Sequence, residues 1–222
     1  MSDSTMTKQN GLVLRLRKFE IRFFASPLGW LFGYMQKYLA RSLYRDAAAK
    51  LVDESWRGKR ILDVGCGHGT MLLEIGRLVG DADLVGVDQS PSLIAFAERS
   101  AAMANRRNME FRVMDAHTLR LPADHFDIAV STSSIYLWSD PVGALNQIHR
   151  VLKPGGRAFI CDQMRADNAG KIYHSWIRQR IYGFGMPAYT NEELIDFFAR
   201  SNFSTFNHWI DGMVIWFAAT KV

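Results

Sequence analysis

The run Arg60-Ile61-Leu62-Asp63-Val64 passes directly into Gly65-Cys66-Gly67-His68-Gly69, and helix-forming residues follow from Thr70. A short apolar run bounded by glycines reads as a buried strand. The glycines let the backbone turn sharply and let a ligand approach main-chain atoms at the positive end of the next helix. Strand, glycine turn and helix open a βαβ unit, and the pattern continues downstream. Further strands are expected at Leu84–Val87, Phe111–Val113, Phe126–Val130 and Arg157–Cys161, with helices at about Thr70–Val79, Ser92–Ala104 and Val142–Leu152. This alternation implies parallel strands joined by right-handed crossovers in an open, doubly wound α/β sheet. Ligands of such sheets sit at the carboxyl ends of the strands.

Beyond Asp162 the text is less regular, and residues 165–188 are rich in aromatic and basic side chains. Thr190-Asn191-Glu192-Glu193 has the form of a capping box, opening a helix that ends near Ser201. Phe203–Trp209 and Met213–Thr220, separated by Asp211-Gly212, read as an antiparallel hairpin that completes the sheet.

The chain has 222 residues, 48% of them hydrophobic and 22% charged, which suits one domain with a sizeable core and an appendage. Cys66 and Cys161 lack CxxC spacing and read as reduced thiols, which places the chain in the cytoplasm. The polar start, Met1 to Asn10, lacks the pattern of a secretory signal. The uncharged run from Phe23 to Gln36 is 14 residues long and holds Pro27, Gly29 and Gly33, whereas a bilayer span needs about 20 apolar residues.

The net charge of +5 is an N-terminal property, because residues 1–60 carry twelve Lys/Arg against five Asp/Glu while residues 61–222 carry fifteen against seventeen. Residues 12–56 read as helical. Leu12, Leu16, Phe19 and Phe23 fall on one face, with Arg15, Lys18 and Arg22 on another. Ser26-Pro27 opens a second helix running to about Lys50, and a short third helix precedes Trp56. The expected division is an N-terminal helical cap over 1–59 and a ligand-binding domain over 60–222, with 165–188 as a variable acceptor-site segment.

The spacing of the glycines narrows the ligand. A pyrophosphate loop reads GxGxxG, which would put glycine where this chain has Thr70, and no GK[ST] follows to make a P-loop. Asp63, two residues before Gly65, would repel a pyrophosphate and suits a cationic ligand such as the amine-bearing end of a sulfonium cofactor. Leu84-Val85-Gly86-Val87-Asp88 ends in a carboxylate 19 residues after Gly69, the place of an acceptor for ribose hydroxyls. Taken singly, each motif has a plainer reading: a tight strand-to-helix turn with no ligand, and an acid favoured by a helix dipole.

Together these residues resemble the class I S-adenosylmethionine-dependent methyltransferases, within the broad methyltransferase type 11 group that includes the ubiquinone and menaquinone C-methyltransferases. The resemblance covers about residues 60–162. It is carried by ILDVGCGHGT (61–70), LVGVDQS (84–90), Met114-Asp115-Ala116, LPADHFDIAVSTSSIYLW (121–138) and RVLKPGG (150–156). It implies a Rossmann-like fold and S-adenosyl-L-methionine as cofactor. Asp63, Gly65, Cys66 and Gly67 would hold the methionine portion, Asp88 the ribose and Gln89 the adenine edge. Asp115 would accept from the adenine amino group, the Ala116 amide would meet a ring nitrogen, and the Ser131 main chain would face the methionine amine. The resemblance makes Lys153-Pro154-Gly155-Gly156 a structural turn before the fifth strand.

Methyl transfer needs alignment more than a dedicated catalytic group. Where the acceptor must lose a proton, the base candidates are His117, Tyr136 and His174. A solvated loop position suits His117 equally well, and a core role suits Tyr136. His68 reads as part of the glycine turn, and His125, His149 and His208 as structural or solvated. Trp, Tyr and Phe at 134–138 and 173–184 point to a small apolar, aromatic or lipid-like acceptor.

The N-terminal helices have two readings. In related enzymes a variable N-terminal helix covers the cofactor, which would bring Tyr38 or Tyr44 near the methyl group. Alternatively, the basic amphipathic segment 12–35 makes a peripheral membrane contact and presents a lipid or quinone-like acceptor. Nucleic acid is the weaker partner, because the core is slightly acidic and no [DN]PP[YFW] motif occurs, which leaves RNA methylation as a minor alternative. A non-catalytic cofactor-binding scaffold is the alternative from another class.

Overall fold

The computed structural model describes residues 41–163, 189–212 and 214–222. The expected helices over 12–40, with Tyr38, and the segment 165–188, with His174, lie outside the described residues.

Helix α1 (Arg41–Leu51) leads through a single 3-10 turn at Glu54–Trp56, capped by Asp53, into β1 (Arg60–Val64). Then follow α2 (Thr70–Leu78), β2 (Asp83–Asp88), α3 (Pro91–Met103), β3 (Met109–Val113) and β4 (Phe126–Thr132). After them come α4 (Pro141–Val151), β5 (Leu152–Gln163), α5 (Asn191–Ala199), β6 (Thr205–Asp211) and β7 (Val214–Thr220). Both α3 and α4 begin at a proline one residue before the expected start. A proline there loses no hydrogen bond, and Ser90 and Asp140 cap from the preceding position. The capping box between Thr190 and Glu193 is formed.

The seven strands lie in the order β3-β2-β1-β4-β5-β7-β6. Strands β1 to β5 pair in parallel, and β7 runs antiparallel to both β5 and β6. This is the expected Rossmann-like α/β fold with its antiparallel C-terminal hairpin. Strand order reverses between β1 and β4, so the crevice at their carboxyl ends is the switch point where such sheets bind ligands.

One expectation changes. Lys153–Gly156 does not precede the fifth strand but lies within it, as an irregularity: Phe126 pairs with Leu152, and the next paired position, Ile128, meets Arg157. Three extra β5 residues are accommodated there, with Gly155 at φ +76° and its N–H donated to Lys221 O at 2.8 Å.

Each face of the sheet has its own core. Leu62 and Val64 point to the face covered by α4 and α5, where Leu145, Ile148, Leu194 and Phe198 are buried. Ile61 points to the other, with Ala48 of α1, Met71 and Ile75 of α2, and Ile94 and Ala97 of α3. Side chains alternate along a strand, so Asp63 shares the face of Ile61. A carboxylate therefore stands among apolar helices.

Candidate cofactor site

The glycine loop is anchored to β2 by its backbone. Gly65 N–H and Cys66 N–H both donate to Val87 O, at 2.8 and 3.0 Å, and Gly67 N–H donates to Asp88 Oδ2 at 3.0 Å. Gly69 N–H returns to Cys66 O at 2.9 Å, which closes the turn onto α2. Strand β4 and the turn after it support the loop from the other side: Ser131 Oγ donates to Val64 O at 2.7 Å, and Ser134 Oγ to Gly65 O at 3.3 Å.

Two of the glycines differ in what excludes a side chain. Gly65 has φ +76°, and a Cβ on it would stand 1.8 Å from Ser134 Oγ and 2.8 Å from Ser134 Cβ. Gly67 has φ +52°, but nothing lies within 4 Å of its would-be Cβ. One side of the loop is packed and the other is open to an incoming molecule.

Asp63 is 1% exposed, and among the described residues neither carboxylate oxygen has a hydrogen-bond partner. Burial, and secondarily the neighbouring Asp88 charge, raise its pKa to about 8. An orphaned carboxyl of this kind fits the ammonium of an amino-acid ligand, whereas a pyrophosphate would meet two acids. Asp88 is better satisfied, with Oδ1 accepting from Ser90 N–H at 2.9 Å and Oδ2 from Gly67 N–H. Burial pushes its pKa up, and those two bonds oppose the shift. Each oxygen keeps lone-pair capacity for a further donor.

The remaining expected residues surround the same strand ends. Gln89 is exposed, just past Asp88, and Ala116 is half-buried against the core. Ser131 is fully buried at the end of β4. The Cys66 thiol is buried and its pKa pushed well above the ordinary value, first by burial and then by Asp63 and Asp88, so it contributes backbone rather than reactivity.

His68, as expected, belongs to the turn: it is buried, 2.8 Å from Thr70 Oγ1 through Nδ1, and meets the ring of Tyr44 edge to face at 6.0 Å. Tyr44 lies close enough to Asp63, Cys161 and Asp162 that burial and then these three raise its pKa. Helix α1 thus reaches the mouth of the site.

Of the base candidates, Tyr136 is buried in a 3-10 turn after β4, with its main-chain N–H donated to Asp162 Oδ2 at 3.2 Å. His117 has both ring nitrogens engaged by protein groups, Nδ1 with Asp115 Oδ1 at 2.5 Å and Nε2 with Asp140 N–H at 3.1 Å. In this arrangement it has no free nitrogen with which to take a proton. Burial works to raise the Asp115 carboxyl, but the bonds from His117 outweigh it and hold the pKa below the ordinary value.

Sequence reasoning missed Asp162, a buried acid at the carboxyl end of β5 beside the site. Its signal was an acid ending the apolar run Ala158-Phe159-Ile160-Cys161, the same pattern that singled out Asp88.

Comparison with known proteins agrees with this geometry. Residues 56–183, more than half of the chain, match the family described as a methyltransferase domain. Aklanonic acid methyltransferase DauC of Streptomyces sp. (strain C5) is 39% identical over 121 residues, covering 53% of this chain and 55% of that protein. The chloroplastic 2-methyl-6-phytyl-1,4-hydroquinone methyltransferase of Arabidopsis thaliana is 31% identical over 160 residues, 72% of this chain and 44% of that one. The matches thus span about half the length of these curated relatives. The solved structure of a SAM-dependent methyltransferase from Aquifex aeolicus shares the fold, with a TM-score of 0.66 at 16% identity over 91% of this chain and 97% of that one. Glycine loop, switch point, orphaned acid and family match together show that the chain belongs to the class I S-adenosylmethionine-dependent methyltransferases.

Proposed function

We propose that the chain transfers the methyl group of S-adenosylmethionine to a small apolar, aromatic or lipid-like acceptor. The observation that carries the cofactor reading is Asp63, a fully buried carboxyl with both oxygens unpartnered among the described residues, beside an open glycine loop. Asp63 would hold the ammonium of the methionine portion, with the main chain of Gly65, Cys66, Gly67 and Ser131 around it. Asp88 would take the ribose hydroxyls, and Gln89, Asp115 and the Ala116 amide the adenine. When bound, the cofactor supplies a methyl group already activated on a sulfonium.

What the chain adds is alignment and exclusion of water, and proximity and orientation can supply roughly 7–11 kcal/mol of such a barrier. Tyr44, from α1, screens the Asp63 side of the site. We place the acceptor beside Tyr136, in the turn after β4, and make Tyr136 a candidate to receive the proton from acceptors that must lose one. His174 shares that candidacy. The relatives' names, a phytyl-bearing hydroquinone methyltransferase and an aklanonic acid methyltransferase, support an acceptor of this class.

The membrane reading of residues 12–35 accompanies the lipid-like acceptor. Among the described residues no helix is long and apolar enough to cross a bilayer; within the basic segment the uncharged run of 14 residues at 23–36 is shorter than the about 20 a span needs, which favours a peripheral contact. Flotation on anionic liposomes with and without residues 1–36 tests it, and unchanged partitioning overturns it.

The cofactor reading is tested by calorimetry with S-adenosylhomocysteine. The parent chain should bind and Asp88→Ala should not, while retained affinity in the variant overturns the ribose assignment. A methyl-labelling screen against hydroquinones and cell extract, read by mass spectrometry, then identifies the acceptor.

A further inference from the structure

His117 joins two loops that leave the sheet at different strands. Its main-chain N–H donates to Asp115 Oδ1 at 2.9 Å, and ring Nδ1 reaches the same oxygen at 2.5 Å. On the far side of the ring, Nε2 meets the main-chain N–H of Asp140 at 3.1 Å and lies 3.4 Å from Ser139 Oγ. A backbone amide can only donate, so Nε2 must be the lone-pair nitrogen and Nδ1 must carry the proton. The two contacts assign opposite roles to the two ring nitrogens. The ring donates to the carboxylate after β3 and accepts from the residue that caps α4.

Both bonds from His117 fall on Oδ1, which leaves Asp115 Oδ2 unbonded among the described residues. Exposure runs the same way: the His117 side chain is 24% exposed and that of Asp115 53%. The imidazole is the support, and the carboxylate is what it presents. Two bonds to one oxygen fix the carboxylate's rotation, and the opposite end of the ring is held by a helix start rather than by a mobile side chain.

We infer that His117 is a positioning residue that gives the cofactor pocket its preference for a 6-aminopurine, by clamping Asp115 between the β3 and β4 loops with one oxygen free. This rests on the reading of Asp115 as the acceptor for the adenine amine. An acceptor held in place discriminates strongly, because a 6-oxo purine would set a carbonyl against an oxygen that cannot turn away. A carboxylate free to rotate would tolerate both bases.

The experiment measures binding of S-adenosylhomocysteine and S-inosylhomocysteine by calorimetry, with thermal unfolding alongside. The parent should prefer the adenine compound at least about tenfold, which corresponds to about 1.4 kcal/mol. His117→Asn keeps an amide N–H where Nδ1–H stands and should keep that preference. His117→Gln offers an oxygen near the Nε2 position but no side-chain donor where Nδ1–H stands, leaving Asp115 only the main-chain N–H, and the preference should fall to within about twofold of unity, a loss of roughly 1 kcal/mol or more. A merely structural His117 would weaken both ligands alike and leave their ratio unchanged.

Retention of the parent's ratio in His117→Gln, or its loss in His117→Asn, overturns the inference while Asp115→Asn loses the ratio. A ratio unchanged in Asp115→Asn overturns the adenine reading itself, and a parent that binds neither compound overturns the cofactor reading.

Discussion

The two ends of the sheet treat an aspartate in opposite ways. At the amino ends, Asp127 of β4 accepts from Arg60 N–H at 3.0 Å and from Lys153 Nζ at 2.9 Å. Arg60 in turn reaches His125 Nε2 at 2.6 Å and Asp83 at 3.5 Å. Burial tends to raise the Asp127 carboxyl, but these partners outweigh it and hold the pKa below the ordinary value. At the carboxyl ends, on the neighbouring strand, Asp63 has no partner among the described residues and its pKa rises to about 8. One end supplies its own countercharge. The other buries a carboxyl and leaves the compensation to a molecule from outside, which is how a binding site differs from a finished core.

Breaking the open end should have the largest effect. Gly65→Ala adds a Cβ 1.8 Å from Ser134 Oγ at φ +76°, and backbone strain of about 1–3 kcal/mol joins the clash. Binding of S-adenosylhomocysteine should become undetectable by calorimetry; a variant within tenfold of the parent would show that the packed side of the loop is not needed.

Asp63→Asn comes next, removing one charge-assisted bond to the ligand, about 1.5–3 kcal/mol or roughly 10- to 150-fold in affinity. The ligand-free variant should melt no lower than the parent at pH 7, because the parent's carboxyl is already largely neutral there. Its pH dependence sharpens the contrast. With a folded pKa of about 8, parent affinity should climb by up to about tenfold per unit as pH rises from 6 towards 8, and Asp63→Asn should be flat.

Stability moves the other way. The native protein holds this proton more tightly than the unfolded chain, so Asp63's contribution is complete below the unfolded carboxyl value of about 3.9 and is lost as pH rises through about 8. Asp127, with a lowered pKa, contributes above about 3.9 and loses its contribution as pH falls through its folded value. Urea unfolding of the parent and Asp63→Asn across pH 5–9 checks the first sign.

The smallest effect belongs to the closed end. Lys153→Ala breaks a half-exposed ion pair worth about 0.2–1 kcal/mol and should lower thermal stability slightly while leaving cofactor affinity within twofold. A larger loss of affinity would mean that the two ends are coupled.

The element order was legible because buried parallel strands and amphipathic helices write different periods into the chain, although the prolines after Ser90 and Asp140 start α3 and α4 one residue earlier than that reading places them. The acid before the glycine loop was legible too, as a carboxylate inside an apolar strand. What the sequence withheld was non-local. The irregularity at Lys153–Gly156 exists because β5 must pair on both edges, with β4 and with β7, and Lys221 anchors it from the far end of the chain. The engagement of His117 depends on Asp140, 23 residues away, a distance set by the fold rather than by any periodic pattern.

The placing of β7 between β5 and β6 has a consequence for synthesis. Strands β2 to β5 emerge in an order that lets each find a neighbour already made, but β6 emerges before the strand that will hold it. Until Val214–Thr220 has left the ribosome, one edge of the twelve-residue β5 stays open, offering unpaired backbone groups to any other nascent chain. Translation that stalls in the β6 region would therefore release a chain already built around its glycine loop yet adhesive along one side.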